Sequence, residues 1–236
     1  VMLRRKKEEV LDLPPKIYTT EYIELTRKQR ILYKEIRQGI VDNLENILEI
    51  PNPLSCTVRL RQLTGGVFGN DNPKLERVKD MLEEITESGH KALIFSQWDQ
   101  VTSVYKEALK AYNPAYIVGA VDPENRQKEV DRFQNDPTCK VAIGTIGAMG
   151  TGLTMTAASY VFFVDKRYWD AENKQAEDRA HRIGTTNTVN VVSLVATNTV
   201  DEGIEEMLRD NKALFDRVVE GKGSRVDVGE ILRKIL

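Results

Sequence analysis

The chain has 236 residues, 41% of them hydrophobic, and a formal net charge of −2, so it can bury a large core and is not a globally basic nucleic-acid-binding protein. Its two cysteines, Cys56 and Cys139, stand alone, which argues against a zinc site or a disulfide framework and indicates a reducing compartment. The sequence contains no signal peptide and no apolar run of about 18 residues, so we expect no membrane partner.

Residues 1–72 are predicted to form an N-terminal segment and a helical protrusion. Alternating apolar residues over 17–25 predict a strand or an extended stretch. Apolar residues about one turn apart over 31–48 predict a long helix that Pro51 and Pro53 end, and a shorter helix follows over 54–63.

From residue 73 onward, predicted helices and strands alternate. The helices are expected at 74–88, 100–111, 123–134, 171–183 and 200–220, and the strands at 91–96, 115–118, 140–145, 159–165 and 189–195. The strands are continuous apolar runs, which is typical of strands covered on both faces. Residues 73–236 are therefore predicted to form one α/β domain with a doubly wound, mainly parallel sheet.

Residues that follow the predicted strands are candidates for function, because ligands of parallel α/β sheets bind beyond the carboxyl ends of the strands. Ser96 and Gln97 follow the first strand of this domain, where Ser96 could instead cap a helix. Arg126 follows the second strand, and a solvated side chain there is an equal alternative. After the third strand comes a glycine-rich stretch, residues 144–158, whose amide and hydroxyl groups suit a phosphate.

The stretch 175–184 is the most specific feature. In the predicted helix over 171–183, one face would carry residues at i, i+3, i+4 and i+7, namely Gln175, Asp178, Arg179 and Arg182. Two guanidinium groups on one face repel each other unless an anion lies between them, and their geometry suits phosphate oxygens. The pattern predicts a nucleotide phosphate, and the alternative is a solvated face with an Asp178–Arg182 ion pair.

This stretch also resembles a known family. Trp169, followed after five residues by Gln-Ala-Glu-Asp-Arg-Ala-His-Arg-Ile-Gly at 175–184, is similar to motif VI of the Swi/Snf-type DNA-translocating ATPases of helicase superfamily two. Thr185 stands where the family usually has Gln. Further similarities, to motif IV, to motif V and to the segment that leads into the second lobe, lie at 95–98, 144–158, 2–16 and 24–33.

The resemblance implies the second of two RecA-like lobes. The sequence contains neither Gly-x4-Gly-Lys-Ser/Thr nor Asp-Glu-x-His, the motifs with which the family's first lobe holds ATP and Mg²⁺. It also begins with Val1, so we expect it to be part of a longer protein. Arg179 and Arg182 would reach the γ-phosphate when the lobes close, one of them as an arginine finger. Gln175 would orient the phosphate or the attacking water, and Asp178 would hold an arginine in place.

For the loops, the resemblance implies contact with the backbone of double-stranded DNA. The residues expected to make it are Ser96, Gln97, Arg126, Thr145 and Thr154. Gly150 and Gly152 are expected to support the nucleotide site, and Trp169 is expected to pack at the start of the helix that follows it.

Two other functions stay open from the sequence. One is a strand-separating helicase, whose motif VI usually reads His-Arg-x-Gly-Arg-x-x-Arg, unlike this chain. The other is a DNA- or protein-binding adaptor without ATPase activity. The compact N-terminal segment favours a prokaryotic or viral protein acting in the cytoplasm, and a eukaryotic one would be nuclear.

Overall fold

The computed structural model describes residues 13–38, 53–69, 71–150 and 152–219. Their strands are β1 (Lys16–Ile23), β2 (Lys91–Ser96), β3 (Ala115–Ile117), β4 (Val141–Thr145), β5 (Ala158–Phe163) and β6 (Val189–Ala196). They form one sheet in the order β1-β6-β5-β2-β4-β3, and every neighbouring pair is parallel. The predicted RecA-like α/β fold with a parallel sheet is confirmed.

Eight helices and one 3-10 helix surround the sheet in the described part of the chain. They are α1 (Arg27–Arg37), α2 (Pro53–Thr64), α3 (Pro73–Glu87), α4 (Asp99–Ala108), the 3-10 helix Lys110–Tyr112, α5 (Pro123–Asn135), α6 (Ile146–Met149), α7 (Asp170–Glu177) and α8 (Val200–Val219). The capping residues explain where α3 and α5 begin. The side chains of Asn72 and Asp122 accept the backbone N–H of Leu75 and Asn125, and each cap is followed by a proline.

Apolar cores lie on both faces of the sheet, which explains the continuous apolar strands. In β2, Leu93 and Phe95 belong to one core and Ala92 and Ile94 to the other. All four side chains are buried. Among the described residues, no helix is both apolar enough and long enough to cross a bilayer.

The described residues of the N-terminal segment pack against the sheet. The predicted strand over 17–25 forms β1, which pairs with β6 along its whole length. The helical protrusion also packs on this region, because the buried residues of α1 and α2 share a core with Ala196 and Val200. The Tyr33 hydroxyl accepts the backbone N–H of Val200 at 2.8 Å.

Some predicted boundaries differ from the structure. The predicted helix over 31–48 begins earlier, at Arg27, because Thr26 caps it, and it can be followed to Arg37; residues 39–52 lie outside the described part of the chain. The glycine-rich stretch contains the short helix α6, which the sequence pattern did not predict. The division of the chain at residues 72 and 73 stays a prediction.

Candidate functional site

Two segments meet at the carboxyl edge of the sheet. We call residues 144–158, between β4 and β5, the motif V loop, and residues 175–184 the motif VI segment. Gly150 and Leu153 of the loop contact Arg179 of the motif VI segment, and the backbone N–H of Met155 donates to the Arg179 carbonyl at 2.9 Å. The fold therefore brings together the two motifs that sequence analysis predicted separately.

The prediction of one continuous helix over 171–183 is wrong, since α7 ends at Glu177 and the motif VI segment continues in turns. Other groups take the backbone atoms that a longer helix would use. Met155 occupies the Arg179 carbonyl, and the Thr185 hydroxyl donates to the Ala180 carbonyl at 2.6 Å. The predicted single helical face of four polar residues therefore does not form, although the two arginines still lie near the same loop.

Arg179 is half-buried and clamps the motif V loop. Its guanidinium donates to the carbonyl oxygens of Gly150, at 2.5 Å, and Leu153, at 3.3 Å. Its Nε is buried and makes no hydrogen bond with the described residues. Burial lowers the pKa of Arg179, the positive charge of Arg182 lowers it further, and Asp178 partly offsets both effects. The positive charge of Arg179 is therefore poorly compensated.

Arg182 and Gln175 are exposed. The Arg182 guanidinium donates to the Thr154 hydroxyl at 3.0 Å, so this arginine also touches the motif V loop. Sequence analysis assigned Thr154 to DNA and Arg182 to the nucleotide. The hydrogen bond between the two side chains therefore connects a residue predicted to contact DNA with one predicted to contact the nucleotide.

Two glycines let the motif V loop approach α6 and turn. A Cβ on Gly150 would lie 2.4 Å from the carbonyl oxygen of Ile146, which no side chain can occupy without moving the backbone. Gly152 has a φ of +73°, a conformation that side chains disfavour. Both glycines act through the backbone, and the supporting role predicted for them at the nucleotide site stays a proposal.

Asp178 does not form the alternative i,i+4 ion pair in the structure; its carboxylate instead lies 2.7 Å from the ammonium of Lys16. The neighbouring Glu177 accepts from Lys16 and from the Tyr18 hydroxyl, both at 2.7 Å. Sequence analysis missed Lys16, Tyr18 and Glu177, because nothing in the pattern indicated that β1 lies beside the motif VI segment.

Three of the predicted DNA-contacting residues lie inside the fold. Ser96 and Thr145 are buried, and Gln97 is half-buried. The Ser96 hydroxyl donates to Asp165 at 2.5 Å. Direct contact between DNA and the Ser96 or Thr145 hydroxyl therefore has no support in this structure.

Asp165 lies two residues after the end of β5 and contacts both Ser96 and Gln97. It accepts the Gln97 backbone N–H at 2.8 Å and pairs with Arg61 of α2 at 3.6 Å. Burial raises the pKa of Asp165, and Arg61, Ser96 and Gln97 limit that rise by stabilising the ionised form. Arg61 also donates to the Gln97 side chain at 3.4 Å, so Gln97 connects the protrusion to the sheet.

Arg126 and Trp169 lie on the surface. Arg126 is half-buried, and its Nε donates to the Val121 carbonyl at 2.7 Å, which fixes the side chain at the start of α5. Trp169 is 64% exposed, so the expectation that it packs at the start of α7 is wrong. Trp169 is the N-cap residue of α7, and its side chain makes no capping hydrogen bond.

Among the described residues, no group of three or more His, Cys, Asp or Glu side chains is arranged to hold a metal ion. Both histidines make other contacts. His90 contacts the Ser159 hydroxyl at 2.9 Å, and Nε2 of His181 lies 2.6 Å from the Pro14 carbonyl.

Comparison with known proteins agrees with this geometry. Residues 73–184 match the family described as the helicase conserved C-terminal domain. Over 98% of its length the chain is 33% identical to human DNA annealing helicase and endonuclease ZRANB3. It is 27% identical to the Sulfolobus solfataricus SWI2/SNF2 ATPase core in complex with dsDNA, with a TM-score of 0.71, over 99% of this chain and 53% of that one. The C-terminal part of the Fun30 ATPase domain shares the fold, with a TM-score of 0.74 and 19% identity over 95% of this chain and 97% of that one.

The chain belongs to helicase superfamily two. Within it, the chain is a C-terminal, RecA-like lobe of the Swi/Snf type, as the resemblance of motif VI predicted. It spans about a fifth of the length of the first curated relatives it matches.

Proposed function

We propose that this chain is the second motor lobe of an ATP-dependent translocase that acts on double-stranded DNA. The observation that carries the proposal is the pair of arginines, Arg179 and Arg182, which both donate hydrogen bonds from the motif VI segment to the motif V loop. The lowered pKa of Arg179 and its buried Nε, which has no hydrogen-bond partner in the described part of the chain, indicate a site that gains stability when an anion binds. A nucleotide phosphate fits this chemistry, because guanidinium groups match phosphate oxygens.

The proposed division of labour follows from exposure. Arg182 is exposed, and with the described residues its guanidinium makes one hydrogen bond, 3.0 Å long, to the Thr154 hydroxyl, so it can turn toward a γ-phosphate and act as the arginine finger. Arg179 is held by two carbonyl oxygens of the motif V loop, so its charge and the loop move together. Gln175 is exposed on α7 and would orient the phosphate or the attacking water. Asp178 supports Arg179 by partly offsetting the lowering of its pKa.

ATP and Mg²⁺ would be held mainly by a first lobe. The phosphate loop and the acidic box are absent from this sequence, and the described residues offer no cluster of metal ligands. When bound, Mg²⁺ would neutralise charge on the transferred phosphoryl group. This chain would contribute the two arginines and Gln175 and would exclude water by closing on the nucleotide.

The proposed DNA surface is narrower than the sequence indicated. Arg126 and Thr154 stay candidates for phosphate contacts because both reach the surface. Ser96, Gln97 and Thr145 would act indirectly, by positioning the ends of β2 and β4. Likeness to the Sulfolobus core bound to dsDNA favours duplex DNA as the track. The proposed location is the cytoplasm, or the nucleus if the protein is eukaryotic.

The 236-residue chain alone is expected to show no ATP turnover, because the residues that grip the β-phosphate and Mg²⁺ are not in it. The test measures phosphate release by the purified chain and by the intact protein, each with and without duplex DNA. Steady turnover by the chain alone, above that of its Arg182→Ala variant, would overturn the two-lobe proposal.

Arg126→Ala in the intact protein is expected to weaken duplex binding and to lower the salt dependence of binding by about one unit of slope, since one phosphate contact is lost. ATP turnover without DNA should stay unchanged. Thr154→Val should also weaken binding, but it should reduce stimulation by DNA more strongly, because it cuts the link to Arg182. Normal duplex affinity of Arg126→Ala together with lost basal turnover would place this arginine on the nucleotide side instead.

A further inference from the structure

A group of buried or half-buried contacts ties the N-terminal segment to the motif VI segment. Four hydrogen bonds connect them, and all four involve one of three alternate residues of one extended stretch, Pro14, Lys16 and Tyr18. The side chains of Lys16 and Tyr18 point the same way, because alternate side chains of an extended chain share one face, and Pro14 adds its backbone carbonyl. We call these contacts the latch; its residues are Pro14, Lys16, Tyr18, Glu177, Asp178 and His181.

The centre of the latch is an ammonium group between two carboxylates. Lys16 lies 2.7 Å from both Glu177 and Asp178, and the Lys16 and Glu177 side chains are only 15% and 6% exposed. Burial acts to lower the pKa of Lys16, but the two carboxylates outweigh it and the pKa is raised. A shielded pair of this kind is held more firmly than a surface ion pair, whose contribution is usually small.

The latch residues adjoin the catalytic arginines in sequence. Asp178 precedes Arg179 directly, and Arg179 holds Gly150 and Leu153 of the motif V loop. The end of α7 at Glu177 makes this arrangement sensitive, because the turns after it lack the regular hydrogen bonds of a helix. The position of the arginines therefore depends on side-chain contacts, of which the latch supplies several.

The segment on the other side of the latch is stiff. Pro14 and Pro15 have restricted φ angles, and β1 follows at once and is paired with β6 from Lys16 onward. A displacement of the chain before Pro14 is thus transmitted to the latch and not absorbed in a flexible turn.

We propose that the latch positions Arg179 and Arg182 for the nucleotide, so that Lys16, Tyr18 and Glu177 are positioning residues for ATP hydrolysis. The inference rests on the proposed function, because it needs a first lobe whose chain leads into Pro14. Approach of that lobe and placement of the arginines are then coupled through one set of contacts. The two arginines would then stabilise the charge on the phosphoryl group only when the segment that joins the lobes makes the latch contacts.

The test uses Lys16→Met in the intact protein, with Arg77→Met as the matched control. Arg77 of α3 pairs at 3.0 Å with Glu21, which lies on the same strand as Lys16 but outside the latch. Lys16→Met is expected to lower the kcat of DNA-stimulated turnover by about 10-fold to 100-fold, since small misplacement of a catalytic group has effects of this size. Arg77→Met should keep normal kcat, and Lys16→Arg should restore most of it.

A second readout separates positioning from folding. Lys16→Met should bind ADP with normal affinity and bind ADP with aluminium fluoride, which mimics the transferred phosphoryl group, about 10-fold to 100-fold more weakly. Glu177→Gln keeps an acceptor for Tyr18 but removes one of the two carboxylate charges that pair with Lys16, so it should reproduce part of the defect. The double variant should lose little more than Lys16→Met alone, since Lys16→Met already removes the interaction with Glu177.

Each result has one interpretation. Equal losses in Lys16→Met and Arg77→Met, or parallel losses for ADP and its aluminium fluoride complex, would show that a loosened β1 is the cause and overturn the latch. Arg182→Ala is measured beside them. If Arg182→Ala is inactive while Lys16→Met and Glu177→Gln have normal kcat, only the latch fails; if Arg182→Ala itself turns over normally, the proposed function fails.

Discussion

Arg182→Ala in the intact protein is expected to lower DNA-stimulated ATP turnover by about 10³-fold or more, with duplex affinity nearly unchanged. Arg182 is exposed, and its removal leaves no buried charge unpaired, so the fold should tolerate the change. A finger acts on charge that develops in the transition state, so kcat should fall while binding of ATP changes little. Steady-state kinetics and a duplex titration measure both quantities.

Arg209→Ala is a suitable control, because Arg209 is also an exposed arginine but lies on α8. It should turn over ATP normally. The ATP turnover of Arg179→Ala is expected to fall to a similar extent as that of Arg182→Ala. This substitution should in addition loosen the motif V loop, since the carbonyl oxygens of Gly150 and Leu153 lose their donor. Normal turnover of either variant would assign that arginine to structure alone.

Arg61→Met is expected to reduce the free energy of unfolding by about 3–5 kcal/mol, because it removes one partner of a buried ion pair. The side chains of Arg61 and Asp165 are 1% and 2% exposed. The guanidinium also donates to the Lys166 carbonyl and lies 4.9 Å from the centre of the Tyr168 ring. Urea unfolding of the 236-residue chain measures the loss. Arg59→Met, on the same helix but partly exposed, should lose about 1 kcal/mol or less.

The loss in Arg61→Met should depend on pH with a defined sign. The pKa of Asp165 is raised above its ordinary value of 3.8 by burial, and removing Arg61 raises it further. Protonation of Asp165 therefore stabilises the folded state; this contribution is complete below the ordinary pKa and is lost as pH rises through the folded-state pKa. The difference between variant and wild type should be largest near pH 7 and smaller at pH 5. A difference that grows on acidification would show that Asp165 is not the partner that matters.

The strands were predictable because burial on both faces gives a continuous apolar run in the sequence. In β2, adjacent residues face different cores, so residues 92–95 are all apolar. Helices such as α3 and α5 were predictable from a cap followed by proline. The partner of β1 was not, because the alternation of residues 17–25 identifies a strand but carries no information on pairing with β6, more than 160 residues away.

The candidate site was predictable in its motifs and not in its contacts. Spacing allowed a helix to continue to residue 183, whereas in the structure α7 ends at Glu177, and Met155 and Thr185 occupy the carbonyl oxygens of Arg179 and Ala180. Ser96 is the last residue of β2, and a polar residue at the end of a strand was expected to reach the surface. The carboxylate of Asp165, which follows β5, accepts its hydroxyl inside the fold instead.

The position of β1 at one edge of the sheet limits where this lobe can be cut. The family match covers residues 73–184, which include β2 to β5 but neither β1 nor β6. A polypeptide trimmed to that match would leave β5 as a bare edge, and unpaired edges of long strands recruit other strands. We expect such a fragment to aggregate. Expression should therefore begin before Pro14 and extend through α8, so that a recombinant lobe keeps both strands and stays monodisperse.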